Sequence, residues 1–190
     1  MSTMTLEREI KLRFESADEA REAILACGAT PMFGRRLQED SLLDTDDEDL
    51  RRRRCVLRVR VENGKSRLTF KGPAQPGLMK VREEIETVVG DGDILLRVLT
   101  ELGLHVWFRY EKYREEFALE DVIVAVDETP VGTFVEIEGT EQGINATAEA
   151  LGRREADYIQ DSYRCLFLKL REEFGLDGQH MLFDGSDGGV

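Results

Sequence analysis

What most constrains this chain is where its charges fall. Nearly every segment that alternates with the two-residue period of a strand carries apolar residues on one side and closely mixed positive and negative residues on the other. Residues 6–14 show it first: Leu6, Ile10, Leu12 and Phe14 share one face, Glu7, Glu9, Lys11 and Arg13 the other, and Arg8 breaks the apolar row. The sorting recurs at Arg58, Arg60 and Glu62, at Arg67, Thr69 and Lys71, and at Lys80, Arg82, Glu84 and Glu86. It returns at Lys112 and Arg114 and at Glu136 and Glu138. An ordinary half-exposed sheet lays its apolar face on a core and its charged face in water. Two architectures can hold strands like these: an open sheet with a solvated face, or a closed barrel with its apolar face outward under helices and its charged face lining a lumen. About eight strands are available, the number at which a barrel encloses room for side chains and one small ligand. We therefore expect an α+β fold, a closed antiparallel β-barrel forming a charged tunnel with helices packed outside. Enclosed charge is costly unless opposite charges, metal ions or a ligand balance it, so the lining predicts a polyanion held together with metal ions.

Local signals give the order of elements. Ser16, Ala17, Asp18 and Glu19 form a capping box ahead of Ala20, Ala23, Ile24 and Cys27 at helical spacing, and Gly28 ends that helix. A strand over residues 33–44 runs into an acidic loop at 44–49 and a basic run at 51–54. Residues 55–62 and 66–71 alternate on either side of Asn63 and Gly64, a hairpin signal, until Gly72 and Pro73 break the pattern. A strand at 80–89, a helix at 93–102 closed by Gly103 and a long strand at 104–117 follow. The last hairpin, 122–127 with 133–138, turns at 129–132. Beyond Gly139 the pattern becomes helical, with Asn145 read as the cap of one short segment and Asp161 or Ser162 as the start of another reaching Phe174. This describes one domain over residues 1–174, and a tail over 175–190, rich in Gly and Asp, that is expected to be disordered.

The 190 residues are 41% apolar and 34% charged, globular in balance but with more charge than an outer surface readily takes. A formal net charge of −13 repels nucleic acid and anionic membranes, which excludes both as expected partners. Cys27, Cys55 and Cys165 lack C-x-x-C spacing and lie in apolar runs, which predicts buried free thiols in a reducing compartment. The sequence reaches charged alternation at once and contains no run of 18 apolar residues, so the expectation is a soluble, cytoplasmic protein.

Specific motifs run through the alternating segments. Glu7-x-Glu9-x-Lys11 comes first, then Leu57-Arg58-Val59-Arg60, Leu68-Thr69-Phe70-Lys71-Gly72-Pro73, Arg82-Glu83-Glu84-Ile85-Glu86 and Lys112-x-Arg114. Val126-Asp127, Gly132-x-Phe134-x-Glu136-Ile137-Glu138 and Ser162-Tyr163 complete the series. In this order the set resembles the CYTH superfamily, the triphosphate tunnel metalloenzymes, which includes class IV adenylate cyclases, thiamine triphosphatases and inorganic tripolyphosphatases. The layout is most similar to the compact class IV cyclase-like branch. One departure is Asp40-Ser41-Leu42-Leu43-Asp44, where that family commonly has aromatic residues.

The resemblance implies roles that charge also favours. A triphosphate carries about four negative charges and needs several charge-assisted contacts, for which Lys11, Arg58, Arg60, Lys71, Arg82, Lys112 and Arg114 are the candidates. Mg²⁺ or Mn²⁺ prefers carboxylate oxygens, which suits Glu7, Glu9, Glu136 and Glu138, with Asp127 as a further candidate ligand. In similar enzymes one metal bridges the phosphates and a second lies near the reacting phosphorus, which makes Lys11, Glu9 and Glu136 the candidate catalytic residues. Arg13, Arg67, Lys80 and Glu62 read as rim charges. Glu84, Glu86 and Asp127 have a second reading as holders of basic residues. Residues 51–54 read as a solvated loop, His105 as structural, and Trp107, Phe108, Tyr110 and Tyr113 as packing. The implied activity is metal-dependent hydrolysis of an inorganic or organic triphosphate: tripolyphosphate, or a nucleoside or thiamine triphosphate. The alternatives are a class IV adenylate cyclase making cyclic AMP and pyrophosphate, and a non-catalytic nucleotide or polyphosphate sensor. A homodimer is expected by analogy with the family.

Overall fold

The structure is a computed structural model and describes residues 5–185. Eight strands, β1 (Thr5–Phe14), β2 (Thr30–Thr45), β3 (Val56–Glu62), β4 (Lys65–Lys71), β5 (Lys80–Val89), β6 (Leu104–Leu119), β7 (Val122–Thr129) and β8 (Gly132–Gly139), close into one antiparallel barrel in the order β1-β5-β4-β3-β2-β6-β7-β8. Five helices accompany them: α1 (Ala17–Ala26), α2 (Asp49–Arg52), α3 (Gly92–Glu101), α4 (Glu141–Ala150) and α5 (Tyr163–Leu170). The closed, helix-covered barrel expected from the alternation is the architecture observed.

Period-two alternation decides what each face meets. The outward Ile10, Leu12, Val124 and Ile137 are covered by Ala20 and Ile24 of α1 and by Ile144 and Ala148 of α4. On the opposite flank Leu43 and Val59 pack with Leu99 of α3. Ser16 caps α1 by accepting the Glu19 amide hydrogen at 3.1 Å, as its capping box predicts.

The C-terminal segment departs from the sequence reading. Asn145 lies inside α4, and Thr140 caps that helix through the Gly143 amide at 3.0 Å, because the chain turns helical directly after β8. Ser162 caps α5 as one of the two expected starts, but the helix stops at Leu170, short of Phe174. Ile159 bridges to Lys11, extending the edge of β1 beyond the last register pair with β5. The tail, expected to be disordered, docks over residues 176–183 instead. The Met181 amide donates to the Arg109 carbonyl at 3.0 Å and its carbonyl accepts from the Glu111 amide at 2.9 Å, on the part of β6 not paired to β7. Met181 is fully buried against inward residues of the barrel, an anchor that composition alone hides. Residues 186–190 of that tail lie outside the described residues.

Between these two bridges α5 lies across one end of the barrel. Its Tyr163, Leu166 and Phe167 cluster with the inward-facing Leu42, Phe108, Tyr110 and Phe134, so this end is stoppered by a small apolar core. The cysteines also depart from expectation. Only Cys55 is buried; Cys27 ends α1 and is half-buried, and Cys165 sits on the outer face of α5.

If the docked tail holds the stopper in place, Met181→Ala should destabilise the protein by about 2 kcal/mol through the cavity it leaves. Urea unfolding checks this, and an unchanged midpoint would show that the tail contributes nothing to the closed end.

Candidate functional site

The barrel encloses a cavity of about 540 Å³. Ten basic side chains and seven acidic ones line it, a local positive surplus inside a protein whose net charge is −13. The strand registers bring opposite signs together: Glu7 lies opposite Arg82, Glu9 opposite Lys80, Lys11 opposite Glu136, and Asp40 opposite Arg60.

Side-chain contacts follow those registers. Lys71 Nζ donates to Glu7 at 2.6 Å and meets Glu84 at 2.8 Å, and Arg82 Nε reaches Glu7 at 3.2 Å. Lys80 lies 2.9 Å from Glu9, and Lys11 lies 2.9 Å from Glu136. Arg114 pairs with both Glu136 and Asp127. Lys112 donates to Asp127 at 2.9 Å. Asp40 clamps Arg60 at 2.8 Å and faces Arg58 at 3.4 Å. Arg58 also donates to Thr69 Oγ1 at 3.2 Å, yet its Nε is buried with no hydrogen-bond partner, a donor that a phosphate oxygen could accept from.

The lumen therefore assembles every predicted phosphate contact: Lys11, Arg58, Arg60, Lys71, Arg82, Lys112 and Arg114 all line it, as do Glu7, Glu9, Glu136 and Glu138. Asp127 does not join them. It is wholly buried in the wall, with its oxygens engaged by Lys112, Arg114 and the Tyr163 hydroxyl, so it is placed as a holder of cations and not as a metal ligand. Lys80 is the reverse case. Expected as a rim charge, it lines the lumen beside Glu9. Arg67 lines the cavity with its side chain half-exposed and paired to Glu86, while Arg13 points away to Glu173. Sequence reading missed Asp40 as an anchor and Tyr163 as a contact; both share a strand or helix face with other lining residues, which is the signal that could have found them. Residues 51–54 do not form a free basic patch, because Arg51 meets Asp44 and Glu48 and Arg53 meets Asp49. His105 lies beside Asp46, away from the lumen.

Electrostatics separate the acids. Burial alone would raise Glu9, but Lys80, followed by Lys11 and Lys71, outweighs both burial and the push of Glu136 and holds it at about 2. Burial would also raise Glu136, and Lys11, Lys112 and Arg114 keep it well below the ordinary carboxylate range. Glu138 goes the other way: burial among the walls, then the charges of Glu7 and Glu9 against the pull of Lys71, push it up to about 7. Glu138 keeps solvent-accessible surface, yet the protein packed around its carboxyl is enough to disfavour the charged form. On the basic side, burial and then Arg114 bring Lys112 down to about 8 against the pull of Asp127.

Among the described residues no three acidic, cysteine or histidine side chains close into a ready metal cluster, since lysines and arginines occupy Glu7, Glu9 and Glu136. The donor set still fits a hard divalent cation. Glu138 is a carboxylate with no ion-pair partner among the described residues, crowded by like charges, and a cation there would relieve the repulsion while the lysines turned to phosphate. No helix among the described residues is long and apolar enough to cross a membrane.

With this geometry established, comparison with known proteins gives a consistent result. The sequence model of the CYTH domain family matches residues 5–163. A protein of Methanocaldococcus jannaschii named "Putative adenylate cyclase" is 29% identical over 147 residues, covering 77% of this chain and 83% of its own length. A solved structure from Pyrococcus horikoshii superposes with a TM-score of 0.69 at 29% identity, over 86% of this chain and 98% of the other. A Hippeastrum protein, described as an adenylyl cyclase by name with a dominant triphosphatase activity, matches with a TM-score of 0.67 at 21% identity, over 86% and 95% of the two chains. That last likeness is one of fold.

Replacing Asp127 by Asn strips a buried counter-charge from Lys112 and Arg114 and should cost about 3 kcal/mol in urea unfolding at neutral pH. Burial opposes but does not overcome the pull of Arg114 and Lys112, so the folded Asp127 lies below its ordinary value. Such a group contributes fully above its unfolded value of about 3.9 and loses that contribution as pH falls through the lower folded value. The Asn variant should therefore show a shallower loss of stability below about pH 4 than the wild type; equal acid slopes would remove Asp127 from this role.

Proposed function

The chain belongs to the CYTH domain family, and from that premise we propose that it is a divalent-metal-dependent enzyme that hydrolyses triphosphates. One observation carries this reading: seven cations predicted to contact phosphate line a single lumen beside a carboxylate, Glu138, that has no ion-pair partner among the described residues.

Lys11, Arg58, Arg60, Lys71, Arg82, Lys112 and Arg114 would take the phosphate oxygens, several donors to one chain, as its charge requires. Asp40 and Asp127 keep those cations extended and in place. Glu7, Glu9, Glu136 and Glu138 would hold Mg²⁺ or Mn²⁺, which when bound supplies charge neutralisation and Lewis acidity at the reacting phosphoryl group. In hydrolysis the water oxygen bonds to the terminal phosphorus as the bond to the bridging oxygen breaks, and the diphosphate leaves with the electron pair. Lys11 and the arginines stabilise the negative charge that grows on the departing oxygens, without having to reorganise. A second reading, cyclisation of ATP to cyclic AMP and pyrophosphate, is favoured by the name of the Methanocaldococcus relative. It uses the same cations with a ribose hydroxyl as nucleophile. The free thiols support a reducing, cytoplasmic setting.

Tripolyphosphate or ATP with Mn²⁺ or Mg²⁺ should stabilise the protein against heat, by about 2.7 kcal/mol at a hundredfold excess over Kd. Orthophosphate as product identifies the hydrolase, and cyclic AMP with pyrophosphate the cyclase. Glu9→Gln should fold normally and lose turnover by at least about a hundredfold, since it removes a charged ligand from the metal site. Turnover within twofold of wild type would refute the assignment of Glu9.

A further inference from the structure

We propose that the stoppered end of the lumen is a recognition pocket for the uncharged planar base of a nucleoside triphosphate, with Leu42, Val56 and Tyr110 as its wall and Arg164 as its roof. This rests on the triphosphate reading above and narrows it to one substrate class.

The lining changes character at this end. Apart from Leu6 at the start of β1 the lining elsewhere is charged, but here Leu42 of β2 and Val56 of β3 put aliphatic surface into the same cavity, next to the Tyr110 and Tyr163 rings. Phosphate oxygens gain nothing from such a wall, whereas a base buries apolar faces against it. The cavity of about 540 Å³ is also in the range that drug-sized ligands fill, and larger than a bare tripolyphosphate requires.

Arg164 is exceptional among the lining cations. The other nine each lie within ion-pair distance of a carboxylate. Arg164, in the first turn of α5, has no hydrogen bond or ion pair among the described residues. Its guanidinium carbon lies 4.9 Å from the centroid of the Phe108 ring and 5.8 Å from that of Trp107. A guanidinium packed over aromatic rings is supported for stacking, and a nucleobase is the ligand part that stacks on it. The local charge also selects. Arg164 is itself a cation with no carboxylate partner among the described residues, so an organic group that is also cationic, such as the thiazolium of thiamine triphosphate, meets repulsion here.

Steady-state kinetics of the full chain with Mn²⁺, following consumption of ATP, tripolyphosphate and thiamine triphosphate, test this directly. The wild type should favour ATP over thiamine triphosphate. Arg164→Ala should raise the KM for ATP about tenfold, the effect of one lost stacking contact, and leave that for tripolyphosphate within about twofold. Arg164→Lys, which keeps charge but not the plane, should behave like the Ala variant. Val56→Trp, which fills the pocket, should weaken ATP selectively again. Equal losses for ATP and tripolyphosphate in Arg164→Ala, or rescue by Lys, would make Arg164 a phosphate contact and overturn the proposal, as would no change for either substrate. If the wild type processes no triphosphate at all, tripolyphosphate included, the triphosphate reading itself has failed and this pocket with it.

Discussion

Everything in this protein depends on counter-charging a lumen that bulk water cannot adequately solvate. A fully buried unpaired charge would cost several kcal/mol, and of the seventeen charged side chains that line the cavity all but Glu138 and Arg164 lie within ion-pair distance of an opposite charge among the described residues. The solution lies in strand register. Glu7 faces Arg82, Glu9 faces Lys80, Lys11 faces Glu136 and Arg114 faces Asp127 across neighbouring strands, so backbone pairing and charge pairing are the same event. A slip of one residue would turn these rows outward and drive Ile10, Leu12 and Ile137 into the lumen. The electrostatics of the site therefore help to fix the topology that contains it.

The acids divide into two kinds by what they touch. Asp40 and Asp127 are inaccessible and spend their oxygens on arginines, lysines and a tyrosine, so they remain as permanent counter-charges whatever enters. Glu7, Glu9 and Glu136 face the cavity and hold cations that a polyanion would also attract. On the proposed function, an incoming triphosphate would replace these glutamates as partner to the lysines, and the freed carboxylates would suit a metal ion. Cation and polyanion binding would then be coupled, because each would remove the electrostatic cost that the other creates.

Alternation made much of this legible. The strands, the closed barrel and the lining positions follow from a period of two and from charge on one parity, since a residue's face is set by counting along its own strand. What counting could not supply is the environment across the barrel. Lys80 is expected at the rim, but the register seats it against Glu9. Asp127 has the same residue type and parity as a metal ligand, but Arg114, Lys112 and Tyr163 take its oxygens, and one of these comes from a helix far along the chain. The docked tail was illegible for a different reason: its Gly and Asp content signals disorder, and the side chains that oppose it, Met181 with Leu176, His180 and Phe183, act through surfaces made by other elements.

The segment that follows the last strand completes the site. Lys11 and Lys112 lie over the Tyr163 ring at 4.6 and 4.7 Å from its centroid, and the hydroxyl of the same residue donates to Asp127. One side chain of α5 thus supports two candidate phosphate contacts on their open side and steadies the carboxylate that fixes Lys112 and Arg114 from behind. Burial and then the neighbouring Asp127 raise the Tyr163 hydroxyl well above its ordinary value, so it stays a neutral donor and adds no further negative charge to the wall. Ile159 holds this segment to β1 and Met181 holds the tail to β6, on either side of α5. The barrel provides the charges, but their arrangement at the closed end depends on a strap that follows the last strand in the chain.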